Sequence, residues 1–255
     1  FLNSVVDYLR TIGADMIIPA TTNSIFRTYP DGADAAPYGS YIIDLTQPED
    51  VLWHNIQRIM RQNINTAKKN GVIIRNGSDD LEAAHKLIVE TFKRSNLPFM
   101  GFKEFIRFVE GLGNNSKILI ADYNNTPQSY TVFGFSNYCA YAIYAGNIDN
   151  QHQGASKLLL WEAMRHFKNL GVQCYDFVGA RINPEKGSKQ DALSSMKRRF
   201  GATLKQGFIW KYSINPLKYK LYCLASRWRS GGDIVDAEHH KIKNTTLETP
   251  TQTLG

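Results

Sequence analysis

Cysteine is scarce. The chain has three, Cys139, Cys174 and Cys223. They are odd in number and irregularly spaced, which excludes a disulfide framework, and no Cys-x-x-Cys or Cys/His ligand spacing calls for a zinc site. His239 and His240 stand together in a polar C-terminal stretch and read as solvated side chains, so no metal is expected. Long apolar runs are also missing. The longest, Tyr138 to Gly146, is strand-length, far short of the ~20 residues that span a bilayer. The start, Phe1-Leu-Asn-Ser-Val-Val-Asp-Tyr8, has no basic region leading into an apolar core, the pattern of a secretory signal. It also has no initiator Met and opens inside a helical pattern, so a preceding segment is expected. Repeats and low-complexity tracts are absent. The expected location is the cytoplasm, with peripheral association at the inner membrane face as a further reading.

What is present suits a globular protein. Of 255 residues, 43% are hydrophobic and 21% charged, enough apolar surface to offset chain entropy in one large domain or two small ones. Net charge is +7, and its distribution says more than its size. Arg181 to Arg229 carries 12 Lys/Arg against two acids, Glu185 and Asp191. A segregated positive field favours an anionic partner such as phosphate, nucleic acid or a lipid surface; the bland alternative is a solubilising face.

Periodicity gives the elements. Ser4 to Ile12 predicts a short helix, Asp15 to Pro19 a strand, Pro30 to Pro37 a loop and Tyr41 to Leu45 another strand. A helix comes next, with Thr46 as cap, Pro48 in its first turn and Glu49 and Asp50 complementing its dipole. It is expected to run unbroken through Trp53, Ile56, Ile59, Met60 and Ile64 to a stop at Asn70-Gly71. Beyond it come a strand (72–75), two helices (79–94, 101–110), three strands (117–122, 128–136, 138–145), the strongest helix (154–170), a strand (172–178), a helix (188–200), a strand (207–214) and a basic helix (216–229). The stretch past Gly231 reads as a polar tail. Strand runs mixed with helices imply an α/β fold of the α+β, mixed-sheet kind. The order resembles that of GNAT acyltransferases.

Three motifs narrow the resemblance: Arg61-x-x-Ile64-x-x-Ala67-x-x-x-Gly71, the strand end Tyr175-Asp176-Phe177-Val178-Gly179, and the helix end Met196-Lys197-Arg198-Arg199-Phe200-Gly201. Together, and in this order, they resemble the Fem (FemABX) family and the wider set of Fem-like GNAT proteins, over roughly Tyr41 to Tyr212. The resemblance implies GNAT-like domains in tandem: residues 1–45 as the end of an incomplete first domain, 46–214 as a complete second one, and 215–255 as a basic helix returning to the first domain plus a polar tail. It implies transfer of an acyl or aminoacyl group to a free amine of a cell-envelope precursor, peptidoglycan or polysaccharide, with aminoacyl-tRNA or acyl-CoA as donor and tRNA or an anionic membrane surface as further partners.

The chemistry asked for is aminolysis of an ester or thioester, which needs positioning and a cation or donor at the developing oxyanion. No Ser/His/Asp or Cys/His arrangement points to a covalent intermediate. The resemblance makes Lys197 the cation beside the acyl carrier, against a plain surface lysine. Met196 stands where the family has an aromatic, which removes a stacking face for a tRNA end and leans toward acyl-CoA. Asp176 is either the acceptor of the amine proton or a brace for Arg181 or the backbone, and Gly179 is the expected bend. Gln151, Gly154 and Ser156 fall on the GNAT Gln/Arg-x-x-Gly-x-Gly/Ala loop, with Ser for the last small residue. Backbone N–H groups at a helix N-terminus suit phosphate; an ordinary capped helix explains the loop equally. Arg198 and Arg181 suit bidentate phosphate contacts or solvated charges, and His152 is a base candidate beside the loop. A rival reading is a non-catalytic, degenerate GNAT module binding tRNA, anionic lipid or an envelope enzyme.

Overall fold

The computed structural model describes residues 1–19 and 25–239, so His240 and all residues after it lie outside that range. The chain forms α1 (Leu2–Thr11), β1 (Met16–Ile17), β2 (Asp34–Asp44), α2 (Glu49–Asn55), α3 (Arg58–Lys69), β3 (Ile73–Asn76), α4 (Leu81–Lys93), α5 (Phe102–Leu112), β4 (Ser116–Tyr123), β5 (Thr126–Phe135), β6 (Cys139–Asn147), α6 (Ala155–Asn169), β7 (Cys174–Asp176), α7 (Lys189–Arg199), β8 (Thr203–Ser213) and α8 (Pro216–Ser230). Contacts group these into two compact units. Among the described residues, one comprises 1–19, 25–40, 179–191 and 204–239, the other 41–178 and 192–203. β2 supplies residues to each unit.

The second unit holds a mixed sheet in the order β2-β7-β6-β5-β4-β3. Every neighbouring pair is antiparallel except β6 with β7. β4 and β5 are buried along nearly their whole length, as strands covered on both faces must be. The α4–α5 side presents Ala84, Leu87, Ile88 and Phe105 to Ile118, Ile120, Tyr130 and Val132. Elsewhere Phe133 meets the rings of Phe167 and Tyr175, and α6 packs against α3. α3 stops where Asn70-Gly71 predicts. Gly71 sits at φ +88, and the amides of Gly71 and Val72 turn back to the carbonyls of Lys68 and Ala67, a closure that glycine permits.

Three sequence expectations are corrected here. The helix expected to run unbroken to Asn70 is two helices, because Ile56 and Gln57 are extended. The Arg61 guanidinium donates to the carbonyls of Trp53 (3.3 Å), His54 (2.8 Å) and Ile56 (2.8 Å) and so caps α2. Thr46 caps nothing. Its hydroxyl and amide both bond the Asp44 carboxylate, and Pro48 is the N-cap. The Ala/Pro-rich segment expected as loop is strand from Asp34 onward, Pro37 included.

In the first unit β1 and β8 are antiparallel neighbours. Ala36, Tyr38, Ile209 and Val235 form a small core. Val235 belongs to a helical turn over 234–239, so the expected polar tail is ordered up to 239. Its anchor is ionic. Lys211, 1% exposed, is ion-paired to Asp236 at 2.7 Å, Asp233 at 3.0 Å and Asp34 at 3.6 Å. Tyr222 also donates to Asp233, and His239 ion-pairs with Asp34 at 3.1 Å when protonated.

Burial alone would neutralise Lys211, but hydrogen bonds to Asp236 and Asp233 outweigh it and raise its pKa. Burial likewise opposes ionisation of Asp236, and the Lys211 bond and charge outweigh it, so its pKa falls below 3.8. The Asp236 contribution to stability is therefore present above the ordinary carboxylate range and is lost as pH drops through its depressed value. Lys211→Ala strands buried carboxylates and is expected to cost about 3–5 kcal/mol in urea denaturation, with a flatter acid limb of stability than the unsubstituted chain.

Candidate active site

The end of β7 is where the sheet changes. β6 and β7 are paired over only three positions, Cys139 with Cys174, Ala140 with Tyr175 and Tyr141 with Asp176. β6 runs on to Asn147, whereas β7 ends at Asp176. Within that extension the register against β5 slips. Val132 faces Tyr144 and Phe133 faces Ala142, leaving Ile143 as the extra residue. Such a bulge re-aims backbone groups locally.

Past Asp176 the chain turns sharply at Val178, which holds φ +50. A β-branched residue reaches this region only when its surroundings impose it. Two contacts do so. The Val178 amide donates to Asp176 Oδ1 at 2.6 Å, and the Val178 carbonyl accepts from Lys197 Nζ at 2.6 Å. The bend expected at Gly179 therefore falls one residue earlier.

Lys197 and Asp176 are both buried, at 8% and 6% exposure. Burial lowers the Lys197 pKa to about 8, partly countered by the Asp176 charge. Near neutral pH the ammonium form still dominates, held at the strand end in a low-dielectric setting where a charge acts strongly. The structure thus brings Lys197 and Asp176 together, and Asp176 braces the backbone.

The other sequence-predicted residues are engaged in different ways. Gly154 is the N-cap of α6 at φ +83, and a Cβ there would lie 2.0 Å from the Asn63 carbonyl oxygen of α3. Its small size serves helix packing. The Ser156 amide donates to Gln151 Oε1 at 3.3 Å, and the Ala155 amide to the His152 carbonyl at 3.0 Å. Two amides of the first turn thus already have protein acceptors. His152 stacks on Tyr123 with centroids 4.2 Å apart and contacts Asn70 and the Gln153 carbonyl, which ties it to structure. Arg198 donates to Tyr41 Oη at 2.8 Å and Ser195 Oγ at 2.9 Å. Arg181 belongs to the first unit and is ion-paired with Glu238 at 2.8 Å.

The residues of the three motifs converge around the α2–α3 break. Gln57 donates its amide to the Arg199 carbonyl at 2.8 Å. Gly201, at φ +83, has no room for a Cβ beside Asn55, and the Phe200 ring meets that of Phe177. Sequence reasoning missed Val178, whose type gives no hint of a left-handed conformation. It also missed a cavity of about 380 Å³ lined by Trp53, Trp161, Glu49, Asp50, Glu162 and Arg165 among others, and the juxtaposition of Cys139 and Cys174. Among the described residues no group of three or more His, Cys, Asp or Glu is placed to hold a metal, and no helix is long and apolar enough to cross a membrane.

The mixed sheet, with one parallel pair and helices on its faces, defines a GNAT-like acyltransferase fold. Residues 28–131 match the FemAB family. Its fold is similar to that in a crystal structure of FemX, with 13% identity and a TM-score of 0.63 over 85% of this chain and 70% of that one. It is also similar to the C-terminal domain of a protein described as a lysylphosphatidylglycerol synthetase from Agrobacterium fabrum, with 12% identity and a TM-score of 0.57 over 91% of this chain and 78% of that one. L-PGS from Bacillus licheniformis is a third, at 11% identity and a TM-score of 0.50, over 74% and 65% of the two chains. Curated protein sequences give no match. The family match together with the fold supports a transferase with acyl or aminoacyl transfer as its function.

Two substitutions separate packing from chemistry. Gly154→Ala is expected to lose at least about 2 kcal/mol of stability, from positive φ and the clash with α3. Arg61→Ala is expected to lose about 1–3 kcal/mol, because it leaves α2 carbonyls without a donor. Both are read by thermal and urea unfolding.

Proposed function

We propose that the chain transfers an acyl or aminoacyl group to a primary amine of a cell-envelope precursor by direct aminolysis, with Lys197 as the cation that stabilises the oxyanion. The donor is an aminoacyl-tRNA or an acyl-CoA. The observation that carries this reading is the buried Lys197 ammonium at the end of β7, beside Asp176 and next to the stretch of β6 that β7 does not pair. The neutral amine attacks the ester or thioester carbonyl and the C–N bond forms. Negative charge collects on the carbonyl oxygen and is met by a preorganised cation. Collapse expels the tRNA 3′ oxygen or the CoA sulfur, and the amine proton leaves with the departing group or to solvent. Asp176 acts as a positioning residue, since its carboxylate holds Val178 and so the carbonyl that orients Lys197.

The rival is a degenerate, non-catalytic module that binds a polyanion. One observation favours it: first-turn amides of α6 are already bonded to Gln151 and His152, which leaves less of that loop for a pyrophosphate.

The experiment is transfer of a radiolabelled acyl group from a panel of aminoacyl-tRNAs and acyl-CoAs to amine acceptors, including a nucleotide-linked muramyl peptide. Lys197→Ala is expected to lower kcat/KM about 10²–10³-fold, the magnitude of a lost oxyanion donor. The sign of the pH dependence tests the role. A cation works below its pKa, so the wild-type rate relative to Lys197→Arg is expected to fall as pH rises through about 8; a ratio that rises there would make Lys197 a base. An unsubstituted chain inert with every donor yet able to bind tRNA would establish the rival.

A further inference from the structure

We propose that the cavity lined by α2, α3 and α6 is a binding site for a free α-amino acid with a bulky apolar side chain. The proposal stands apart from the catalytic reading, since it uses none of those residues. All its lining residues belong to the second unit, and its volume, about 380 Å³, falls in the range of small-molecule sites. Each helix turns one face inward. Asp50 and Trp53 lie at i and i+3 on α2, Asn65 and Lys68 at i and i+3 on α3, and Leu158, Trp161 and Arg165 at i, i+3 and i+7 on α6, spacings that share one side of a helix. Trp53 and Trp161 meet with ring centroids 5.0 Å apart and planes at 53°. With the buried Ile64 and Leu158 they make an apolar wall.

Charge decides the ligand. Arg165 is already matched: it pairs with Glu49 at 2.8 Å and Glu162 at 3.0 Å, which ties α6 to α2. The side chains of Asp50, Asn65 and Lys68 are exposed, and among the described residues none of the three has a hydrogen-bond or ion-pair partner. α2 therefore offers a carboxylate, and α3 offers an amide and an ammonium. Exposed charges are ordinary singly; two opposite ones that converge on an indole wall select a ligand. A lone amine would leave Lys68 unanswered, and a lone carboxylate would leave Asp50 so. A polyanion is disfavoured, because the lining holds three acids, Glu49, Asp50 and Glu162, against two bases, Lys68 and Arg165. An α-amino acid answers each group: its ammonium meets Asp50, its carboxylate meets Asn65 and Lys68, and its side chain packs on the indole faces.

The test is titration of the full, isotope-labelled chain with L-phenylalanine, followed by calorimetry and by the indole N–H signals of its four tryptophans. Phenylalanine is expected to bind with a dissociation constant of about 0.1–1 mM, to move the signals of Trp53 and Trp161, and to leave those of Trp210 and Trp228 in place. Phenethylamine, which lacks the carboxylate, and phenylpropionate, which lacks the ammonium, are each expected to bind at least about fivefold more weakly. Asp50→Asn is expected to weaken phenylalanine about fivefold and to leave phenylpropionate no weaker, whereas Lys68→Met is expected to weaken phenylalanine about fivefold and to spare phenethylamine. Both positions are exposed, so circular dichroism and melting of the free variants are expected to stay unchanged and exclude unfolding as the cause. No binding at about 10 mM phenylalanine overturns the proposal, as does movement of the Trp210 or Trp228 signal in place of the other two. Phenethylamine that binds as tightly as phenylalanine would make this a plain cation site, and a phenylalanine dipeptide that binds more tightly would make it a site for a peptide end; either result overturns the amino-acid assignment. None of these readouts involves acyl transfer, so their failure is distinct from failure of the Lys197 reading.

Discussion

A buried ammonium needs acceptors, and the one on Lys197 finds the Val178 carbonyl. That contact helps hold a valine at φ +50, a conformation it would otherwise avoid, two residues past the end of β7 at Asp176. Asp176 closes the arrangement from the other side through the Val178 amide. The end of β7 and the buried cation thus meet at one residue, Val178. The cost of the contact is desolvation of the ammonium, visible in the lowered Lys197 pKa, and strain of this kind concentrates where a fold does its chemistry.

The positive stretch from Arg181 to Arg229 looks in sequence like one field. In the structure it comes apart. Arg181 is matched by Glu238, Lys197 points into the interior, Arg198 lies on Tyr41, and Lys211 is ringed by carboxylates. Within α8, Lys218 is paired with Asp15, while Lys220, Arg227 and Arg229 are exposed. Counting charges along a chain measures supply; burial and pairing decide where a field survives.

Several features were legible from the residues. α4, α5 and α6, the antiparallel run β4–β6, the Asn70-Gly71 stop and α8 all follow from local period and end chemistry. The break at Ile56 and Gln57 was not, because both halves keep a helical pattern. What separates them is the Arg61 cap and an amide that reaches Arg199, contacts between residues far apart in sequence. The N-terminal half of β2 was hidden by an Ala/Pro composition that sheet pairing overrides. At the candidate site, the residue types of Lys197 and Asp176 could be picked from a motif, whereas the bend at Val178 could not, since nothing in a valine signals positive φ.

The sequence alone therefore determined the mixed α/β class, the order of most elements and the residue types available for aminolysis, since each depends on local periodicity or on a short motif. Only the tertiary structure decided that Lys197 is desolvated, that Gly154 is small to admit Asn63, that Lys211 is a structural ion, and that four apolar residues of α8 face outward. Burial, partner and direction are properties of neighbours brought together by folding, and no stretch of chain carries them by itself.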